Sequence, residues 1–250
     1  MPSNYGFLRE DEMVSRLNGK DVGSLSNNLK NLIRDLFGVL SEDAIVHCEK
    51  TQNFIKPDLI ITYRGEQRFV SMKSGRCDIV HQELVHNFVL FLKGLGVSTR
   101  TQETILLYHY GDGTIDGTGE KRIEYDNLRV MLHDRIKEAN EELNRDKDFI
   151  MTVIEHCVFV GTIPDADPAD CLYHGNYEFG VVATRKQIEK HIYRKNWQWI
   201  NNLHIGPLHL RPHARYVNKD IRSEKKRQTL ECYWPNLAAD IDWIAHRYDY

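Results

Sequence analysis

A carboxylate and an ammonium group stand close together in the first third of this 250-residue sequence. Asp58 follows Pro57, and twelve residues separate this aspartate from the triplet Ser71-Met72-Lys73. A carboxylate can bind a divalent cation, and an ammonium group can stabilise negative charge that develops beside it. The two residue types therefore suit a hydrolytic site that works with a metal ion, although an ion pair on a sheet surface has the same composition.

Two apolar segments must position this pair. Residues 58–63 and 68–73 are rich in strand-forming side chains, and residues 64–67 between them contain a glycine, so we predict a β-hairpin. Both segments carry apolar residues on both faces, which places the charged pair at the margin of a buried sheet. Charges placed there lose hydration, and sites that bind metal and substrate commonly accept this cost.

The alternation of side chains in this hairpin predicts which residues meet. If the turn centres near Gly65, residues whose numbers sum to about 129–131 face each other, and Asp58 lies opposite Ser71 or Lys73. Because successive side chains point to opposite faces, Asp58 and Lys73 then project to the same side at the same end of the hairpin. Pro57 suits the first position of a strand, where its missing N–H costs little.

The motif Pro57-Asp58 with Ser71-Met72-Lys73 resembles the signature of the PD-(D/E)XK nuclease superfamily. The predicted order over residues 24–110, a helix, three strands, a helix and a strand, is similar to the core of that family. The resemblance implies an α/β restriction-endonuclease-like core with a mixed central sheet flanked by helices. It also implies that Asp58 binds Mg²⁺, or Mn²⁺ in its place, while Lys73 orients the attacking water and stabilises developing negative charge.

Ser71 departs from the family pattern, which usually has Asp or Glu at this position. Serine is a poor ligand for Mg²⁺, which prefers carboxylate oxygens and water. Some nucleases of the superfamily with a similar Ser-x-Lys take the missing carboxylate from the next helix, and here Glu83 lies in a helix that we predict over residues 78–93. The resemblance thus implies a catalytic set of Asp58, Lys73 and Glu83. Three further carboxylates are candidate ligands: Asp78, which a helix N-cap also explains, Glu49 near the end of the first strand, and Glu12 in the N-terminal helix.

The rest of the sequence predicts an α+β C-terminal elaboration. Residues 111–119 contain four glycines and two aspartates, which favours a boundary, so we predict a nuclease core over residues 1–110 and the elaboration over residues 111–250. Thr184 and Gln187 form a capping box at the start of a helix. The other predicted elements are strands over 104–110, 149–160 and 179–183, a loop over 161–177, an extended segment over 203–216, and helices over 5–18, 24–38, 125–145 and 238–248.

Charge is distributed unevenly along the chain. The net charge is −3, but residues 185–227 contain twelve basic and three acidic residues, so this stretch carries +9 and the remainder −12. A local basic surface can bind the phosphate backbone even in an acidic protein, and interleaved aromatic rings can stack on bases. A solvated surface and core packing explain the same residues without nucleic acid. The candidate nucleic-acid-binding residues are Arg185, Lys186, Lys190, Arg194, Lys195, Arg211 and Arg215.

The cysteine pattern favours a reduced, intracellular protein. The five cysteines are odd in number and form no Cys-x-x-Cys pair,. The N-terminus lacks a signal-peptide pattern, and no apolar run approaches the roughly 20 residues that span a bilayer, so we predict a cytoplasmic protein with no membrane partner. A zinc site formed by His156, Cys157, Cys171 and His174 is disfavoured, because adjacent residues on a predicted strand point to opposite faces.

These patterns predict a Mg²⁺-dependent endonuclease that hydrolyses DNA, in its most specific form an enzyme of the restriction type. A homodimer is the simplest way to cut both strands of a duplex, because two-fold symmetry puts one site on each strand. The alternative is a non-enzymatic nucleic-acid-binding or assembly protein that keeps the fold with a weakened site. Ser71 is the residue that favours this alternative.

Overall fold

The structure is a computed structural model that describes residues 5–52, 55–75, 78–119, 122–198, 202–213 and 226–248. The chain forms two compact units, and neither is one continuous segment. The first unit comprises Met1–Asp78, Ile154–Arg194 and Asn236–Tyr250, and the second comprises Ile79–Val153 and Lys195–Pro235. The predicted boundary after residue 110 falls inside the second unit, and a functional division there stays a prediction.

Helices and strands are spread through both units. The helices are α1 (Tyr5–Leu17), α2 (Asn27–Phe37), α3 (Val85–Gly94), α4 (Thr99–Tyr110), α5 (Tyr125–Met131), α6 (His133–Leu143), α7 (Lys147–Ile154), α8 (Arg185–Arg194) and α9 (Leu237–Arg247). The strands are β1 (Lys20–Asp21), β2 (Ile45–Lys50), β3 (Leu59–Tyr63), β4 (Glu66–Lys73), β5 (Ile79–Leu84), β6 (Cys171–Gly175), β7 (Gly180–Thr184), β8 (His204–Ile205), β9 (Leu208–Pro212) and β10 (Thr229–Tyr233). A 3₁₀ turn covers Val22–Ser24, and α7 continues as a π-helix over Glu155–Val160.

The first unit is built on a mixed sheet whose described strands run in the order β1-β2-β3-β4-β6-β7. Neighbouring strands are antiparallel except for β4 and β6, which are parallel. One face of this sheet forms an apolar core with α1 and α2. Leu29, Leu32, Ile33 and Leu36 recur at helical spacing and are the buried residues of α2,. Ser26 caps this helix, because its hydroxyl accepts a hydrogen bond from the N–H of Leu29,.

The opposite face of the same sheet is also buried along β6 and β7. Leu172 and Ala183 on this face are fully buried, α9 packs against both strands, and α8 packs against β7. The predicted capping box of α8 is confirmed: Thr184 Oγ1 accepts from the N–H of Gln187, and the Gln187 side-chain oxygen accepts from the N–H of Thr184,. The helix therefore begins at the residue that the sequence predicts.

The second unit contains an antiparallel sheet whose described strands run in the order β5-β10-β9-β8. Leu210, Leu230 and Cys232 are buried on one face, and α3 and α4 pack against the strands of this sheet. The other face carries polar side chains that include Gln82 and Arg211. An apolar face and a polar face are common in antiparallel sheets, since one side can remain in contact with water.

Several predicted elements are wrong, because tertiary pairing overrides local propensity. The predicted helix over 78–93 is instead strand β5, which pairs with β10, followed by α3. The predicted strand over 104–110 is the second half of α4, which Ser98 caps at its start and left-handed Gly111 ends,. The predicted strand over 149–160 is α7 with its π-helical continuation.

The predicted loop over 161–177 contains β6, so the parallel neighbour of β4 comes from residue 171 onward rather than from residues 104–110.

The predicted fold class is confirmed, since the structure is α/β with a mixed sheet flanked by helices. The predicted extended segment over 203–216 contains β8 and β9, and its last residues, 214–216, lie outside the described part of the chain. No helix among the described residues is long and apolar enough to cross a membrane.

Candidate active site

The β3–β4 hairpin forms as the sequence predicts. Arg64 and Gly65 form its turn with φ angles of 52° and 83°, and positive φ at both central positions is typical of the tightest hairpin turns. Leu59 pairs with Val70. The same register carried one residue further places Asp58 beside Ser71, the first of the two predicted alternatives.

Asp58 gathers three groups around one carboxylate oxygen. Its Oδ2 accepts hydrogen bonds from the N–H of Met72 at 2.5 Å and from the hydroxyl of Ser71 at 3.4 Å. The Nζ of Lys73 lies 3.7 Å from the same oxygen. The side chains of Asp58 and Lys73 are 24 % and 18 % exposed, so the pair is largely buried and still reachable from solvent.

Ser71 connects the two charged residues. The residue is buried, and the Nζ of Lys73 donates to its hydroxyl at 3.4 Å and to the carbonyl of Met72 at 3.2 Å. The hydroxyl can therefore accept from the lysine while it donates to Asp58. The ammonium group therefore lies beside the carboxylate, with the hydroxyl of Ser71 between them.

His174 is a neighbour of this cluster that the sequence analysis assigned to a different candidate site. The parallel ladder pairs it with Lys73. Its buried Nε2 has no hydrogen-bond partner among the described residues. Burial lowers the pKa of His174, while the charge of Asp78 and a backbone hydrogen bond with Gly75 oppose this shift. A neutral imidazole nitrogen beside Lys73 can accept a hydrogen bond from a bound molecule.

The disfavoured zinc set does not form. Cys171 is buried in the core with α1 and α2, whereas His174, three residues along the same strand, points to the opposite face. His156 and Cys157 lie in the π-helical segment rather than on a strand. Within the described part of the first unit, no three ligand atoms from His, Cys, Asp or Glu lie within 4.8 Å of one another.

The additional candidate carboxylates have different environments. Glu49 is exposed and pairs with Ile60 in β2–β3, which puts it on the same sheet face as Asp58. Asp78 is not a helix N-cap, because β5 follows it and α3 begins only at Val85. Glu12 lies exposed in α1.

Glu83 belongs to strand β5 of the second unit rather than to a helix. Its Oε1 lies 2.8 Å from Nε2 of His81, and both side chains are 5 % exposed. The sequence predicts this carboxylate one or two turns into a helix over residues 78–93, whereas residues 79–84 form a strand that pairs with β10. Its convergence with Asp58 and Lys73 stays a prediction.

The candidate nucleic-acid-binding residues of α8 fall into two groups. Lys186, Lys190 and Arg194 are exposed and follow one another at intervals of four residues, which places them along one side of the helix,. Arg185 instead binds Glu155, with its Nε 2.7 Å from the carboxylate. The guanidinium of Arg194 also lies 5.0 Å from the ring centre of Tyr248.

The remaining basic candidates lie in the second unit or outside the described residues. Lys195 has its Nζ 5.8 Å from the ring centre of Trp197. Arg211 forms an ion pair with Glu231 at 2.7 Å. Arg215 lies outside the described part of the chain. The predicted basic stretch is therefore divided between the two units, and acidic partners hold two of its members.

Comparisons with known proteins find a similarity in the fold but none in the sequence. No model of a known family and no curated protein sequence matches the chain. The fold is similar to that of the restriction endonuclease MspI, solved in complex with its cognate DNA, with a TM-score of 0.47 and 15% sequence identity over 93% of this chain and 92% of that chain. At this identity the likeness concerns the arrangement of helices and strands, and no residue role follows from it.

Proposed function

We propose that this protein is a Mg²⁺-dependent endonuclease of the PD-(D/E)XK type that hydrolyses DNA phosphodiester bonds. The observation that carries the proposal is the grouping of Asp58, Ser71 and Lys73 at one end of the β3–β4 hairpin, with the carboxylate and the ammonium 3.7 Å apart and partly open to solvent.

The residues fit a single divalent ion. The hydrogen bonds of Asp58 with described residues all involve Oδ2, so Oδ1 remains available to a cation. Mg²⁺ in enzymes is often held by one or two carboxylates, with waters and substrate oxygens completing its shell. Asp58 would be the first ligand, and Glu49 or Glu83 the second. When bound, the ion would polarise the phosphoryl oxygen and lower the pKa of a bound water.

The other side chains of the cluster have roles that follow from their contacts. Lys73 would lie beside the scissile phosphate, where its ammonium stabilises negative charge and orients the attacking water. Ser71 would hold that ammonium in place through its hydroxyl. His174 would accept a hydrogen bond at Nε2 from water or from the substrate.

Substrate binding would use basic side chains outside this cluster. Lys186, Lys190 and Arg194 on α8 offer an exposed row of positive charge that can neutralise phosphates. The more specific proposal is a restriction-type enzyme that acts as a homodimer, because two-fold symmetry supplies one active site for each DNA strand.

A second candidate function rests on the same serine. Ser71 places a neutral hydroxyl where a second carboxylate would bind the metal, and the first unit brings no three ligand atoms of its described residues together. These two features are what we would expect of a nucleic-acid-binding or assembly protein whose catalytic site is weakened.

The decisive experiment is a cleavage assay with the full-length chain. Supercoiled plasmid, linear duplex DNA and single-stranded RNA would each be incubated with Mg²⁺, with Mn²⁺ and with EDTA. We expect metal-dependent cleavage of DNA that Asp58→Asn abolishes and that the exposed control variant Lys20→Gln leaves unchanged. DNA binding without cleavage in either metal would instead support the second candidate, and cleavage of RNA alone would contradict DNA as the substrate.

A further inference from the structure

The polar face of the second sheet contains a carboxylate that is saturated by its neighbours. Glu231 is 4 % exposed. Its Oε2 accepts from Nε of Arg211 at 2.7 Å, and its Oε1 accepts from Nδ1 of His213 at 2.5 Å and from the side-chain amide of Gln82 at 2.9 Å. We call these four residues the Glu231 cluster. The strand register explains their meeting, because Gln82, Glu231 and Arg211 lie side by side on β5, β10 and β9.

Arg211 is held in one orientation by this cluster. Its Nε is bound by Glu231, and its guanidinium carbon lies 4.4 Å from the ring centre of Tyr233. The two terminal nitrogens make no hydrogen bond with any residue that the structure describes, and the side chain is 33 % exposed. The partly exposed side chain therefore offers its two terminal nitrogens as pre-oriented donors, which spares most of the ordering entropy that a flexible arginine would lose on binding,.

The charge of Glu231 indicates what this donor pair can recognise. The carboxylate compensates the guanidinium, so Arg211 adds little net attraction for a polyanion, and a phosphate placed here would also meet Glu231. The guanidinium can still donate directional hydrogen bonds to neutral acceptors when Glu231 compensates its charge. The O6 and N7 atoms of guanine are such acceptors in the major groove of DNA, and arginine binds both at once.

We propose that Arg211, positioned by Glu231, reads a guanine edge in duplex DNA and so sets part of the sequence preference of this protein. This proposal rests on the proposed function, because it takes duplex DNA as the substrate. Gln82 and His213 complete the support of the carboxylate. Base contacts of this kind specify sequence, whereas the lysines of α8 would contact phosphates and contribute affinity without sequence information.

The test measures binding and not cleavage, so that it is independent of the catalytic proposal. The full-length protein would select sequences in EDTA from duplexes with a randomised central segment, and affinities for the selected sequence and its single-base variants would follow by fluorescence anisotropy. For Arg211→Gln, which removes the guanidinium donors together with their charge, we expect discrimination at one G·C pair to fall by about 5- to 150-fold, with the other positions unchanged. The slope of log affinity against log salt should stay the same, since a lost phosphate contact would lower its magnitude by about 0.9.

The matched control is Arg100→Gln. Arg100 also binds a carboxylate through Nε, that of Glu138 at 2.6 Å, but both side chains of this pair are more than half exposed, at 62 % and 51 %. Its substitution should change neither discrimination nor slope. Arg211→Ala, checked for folding by circular dichroism, gives a second variant. Loss of affinity that is equal for all sequences and accompanied by a smaller salt slope would overturn the proposal, and so would an unchanged sequence preference or the absence of DNA binding.

Discussion

Asp58 in the first unit and Glu231 in the second meet cationic side chains in opposite ways. Lys73 lies 3.7 Å from Asp58, whose side chain is 24 % exposed. Arg211 lies 2.7 Å from Glu231, whose side chain is 5 % exposed. The first contact is loose and open, whereas the second is tight and buried.

The two arrangements suit different roles. A buried charge is stable only when hydrogen bonds satisfy its oxygens, and Glu231 achieves this with three partners that engage both of its oxygens. Asp58 concentrates its hydrogen bonds with described residues on Oδ2, and Oδ1 could then bind a cation. A saturated carboxylate can orient its neighbours, and an unsaturated one can bind a cation.

The largest effect should come from Asp58→Asn. The amide keeps the shape of the side chain and can still accept from the N–H of Met72, but it removes the charge that would hold the metal. Because a catalytic metal is worth several kcal/mol and each 1.36 kcal/mol is tenfold in rate, we expect the cleavage rate to fall by at least about 10³-fold. The measurement is single-turnover plasmid cleavage. Asp43→Asn, at an exposed loop position, is the control, and a wild-type rate for Asp58→Asn would refute the assigned site.

A smaller loss is expected for Lys73→Met. Methionine keeps the length of the side chain but lacks the ammonium that would stabilise the developing charge, and removal of one such group costs about 10²–10³-fold in rate. The reduction should appear in kcat rather than in KM, since the group acts mainly in the transition state. Lys20→Met serves as the exposed control. A change confined to KM would make Lys73 a binding residue instead.

The hairpin with Asp58 and Lys73 could be predicted because all its information is local. Residues 58–73 are continuous, the turn contains a glycine, and alternation fixes which side chains share a face. His174 could not be found this way. It reaches Lys73 through a parallel pairing across about a hundred residues, and no short-range pattern records such a contact.

The wrongly predicted elements have the same cause, namely contacts between residues far apart in the sequence. The segment from residue 79 contains apolar residues that fit either a helix or a strand, and its pairing with β10 decides for the strand,. In α4 the β-branched residues Thr104 and Ile105 favour a strand, but Ser98 and Gly111 set the ends of a helix. Glu83 was therefore expected on the wrong kind of element, and its role depends on a long-range arrangement that sequence alone does not specify.

Glu231→Ala tests the tighter of the two ion pairs, between Glu231 and Arg211, through its effect on stability. The substitution removes the hydrogen bonds that Arg211, His213 and Gln82 donate to a buried carboxylate, and a hydrogen bond to a charged group contributes about 1.5–3 kcal/mol to stability. Urea denaturation should therefore show a lower free energy of unfolding by about that amount. Glu138→Ala, which breaks the exposed pair with Arg100, should cost less than about 1 kcal/mol. Equal losses for the two variants would mean that the Glu231 cluster stabilises the fold no more than an exposed ion pair does.

The smallest effect is expected for charge reversal on α8, which tests whether this helix contributes affinity for DNA without contributing to base recognition. Lys190 and Arg194 lie exposed on α8, so their replacement by glutamate should leave the core intact. Each phosphate contact that is lost should lower the magnitude of the salt slope by about 0.9, because fewer counterions are released on binding. We expect weaker binding to all sequences alike, measured by fluorescence anisotropy across a salt series, and no change in metal binding at Asp58. The control reverses Lys93 and Lys137, which are exposed lysines on α3 and α6, and thus changes the net charge equally. If both double variants lose affinity to the same extent, net charge alone explains the effect, and α8 is only a solvated surface.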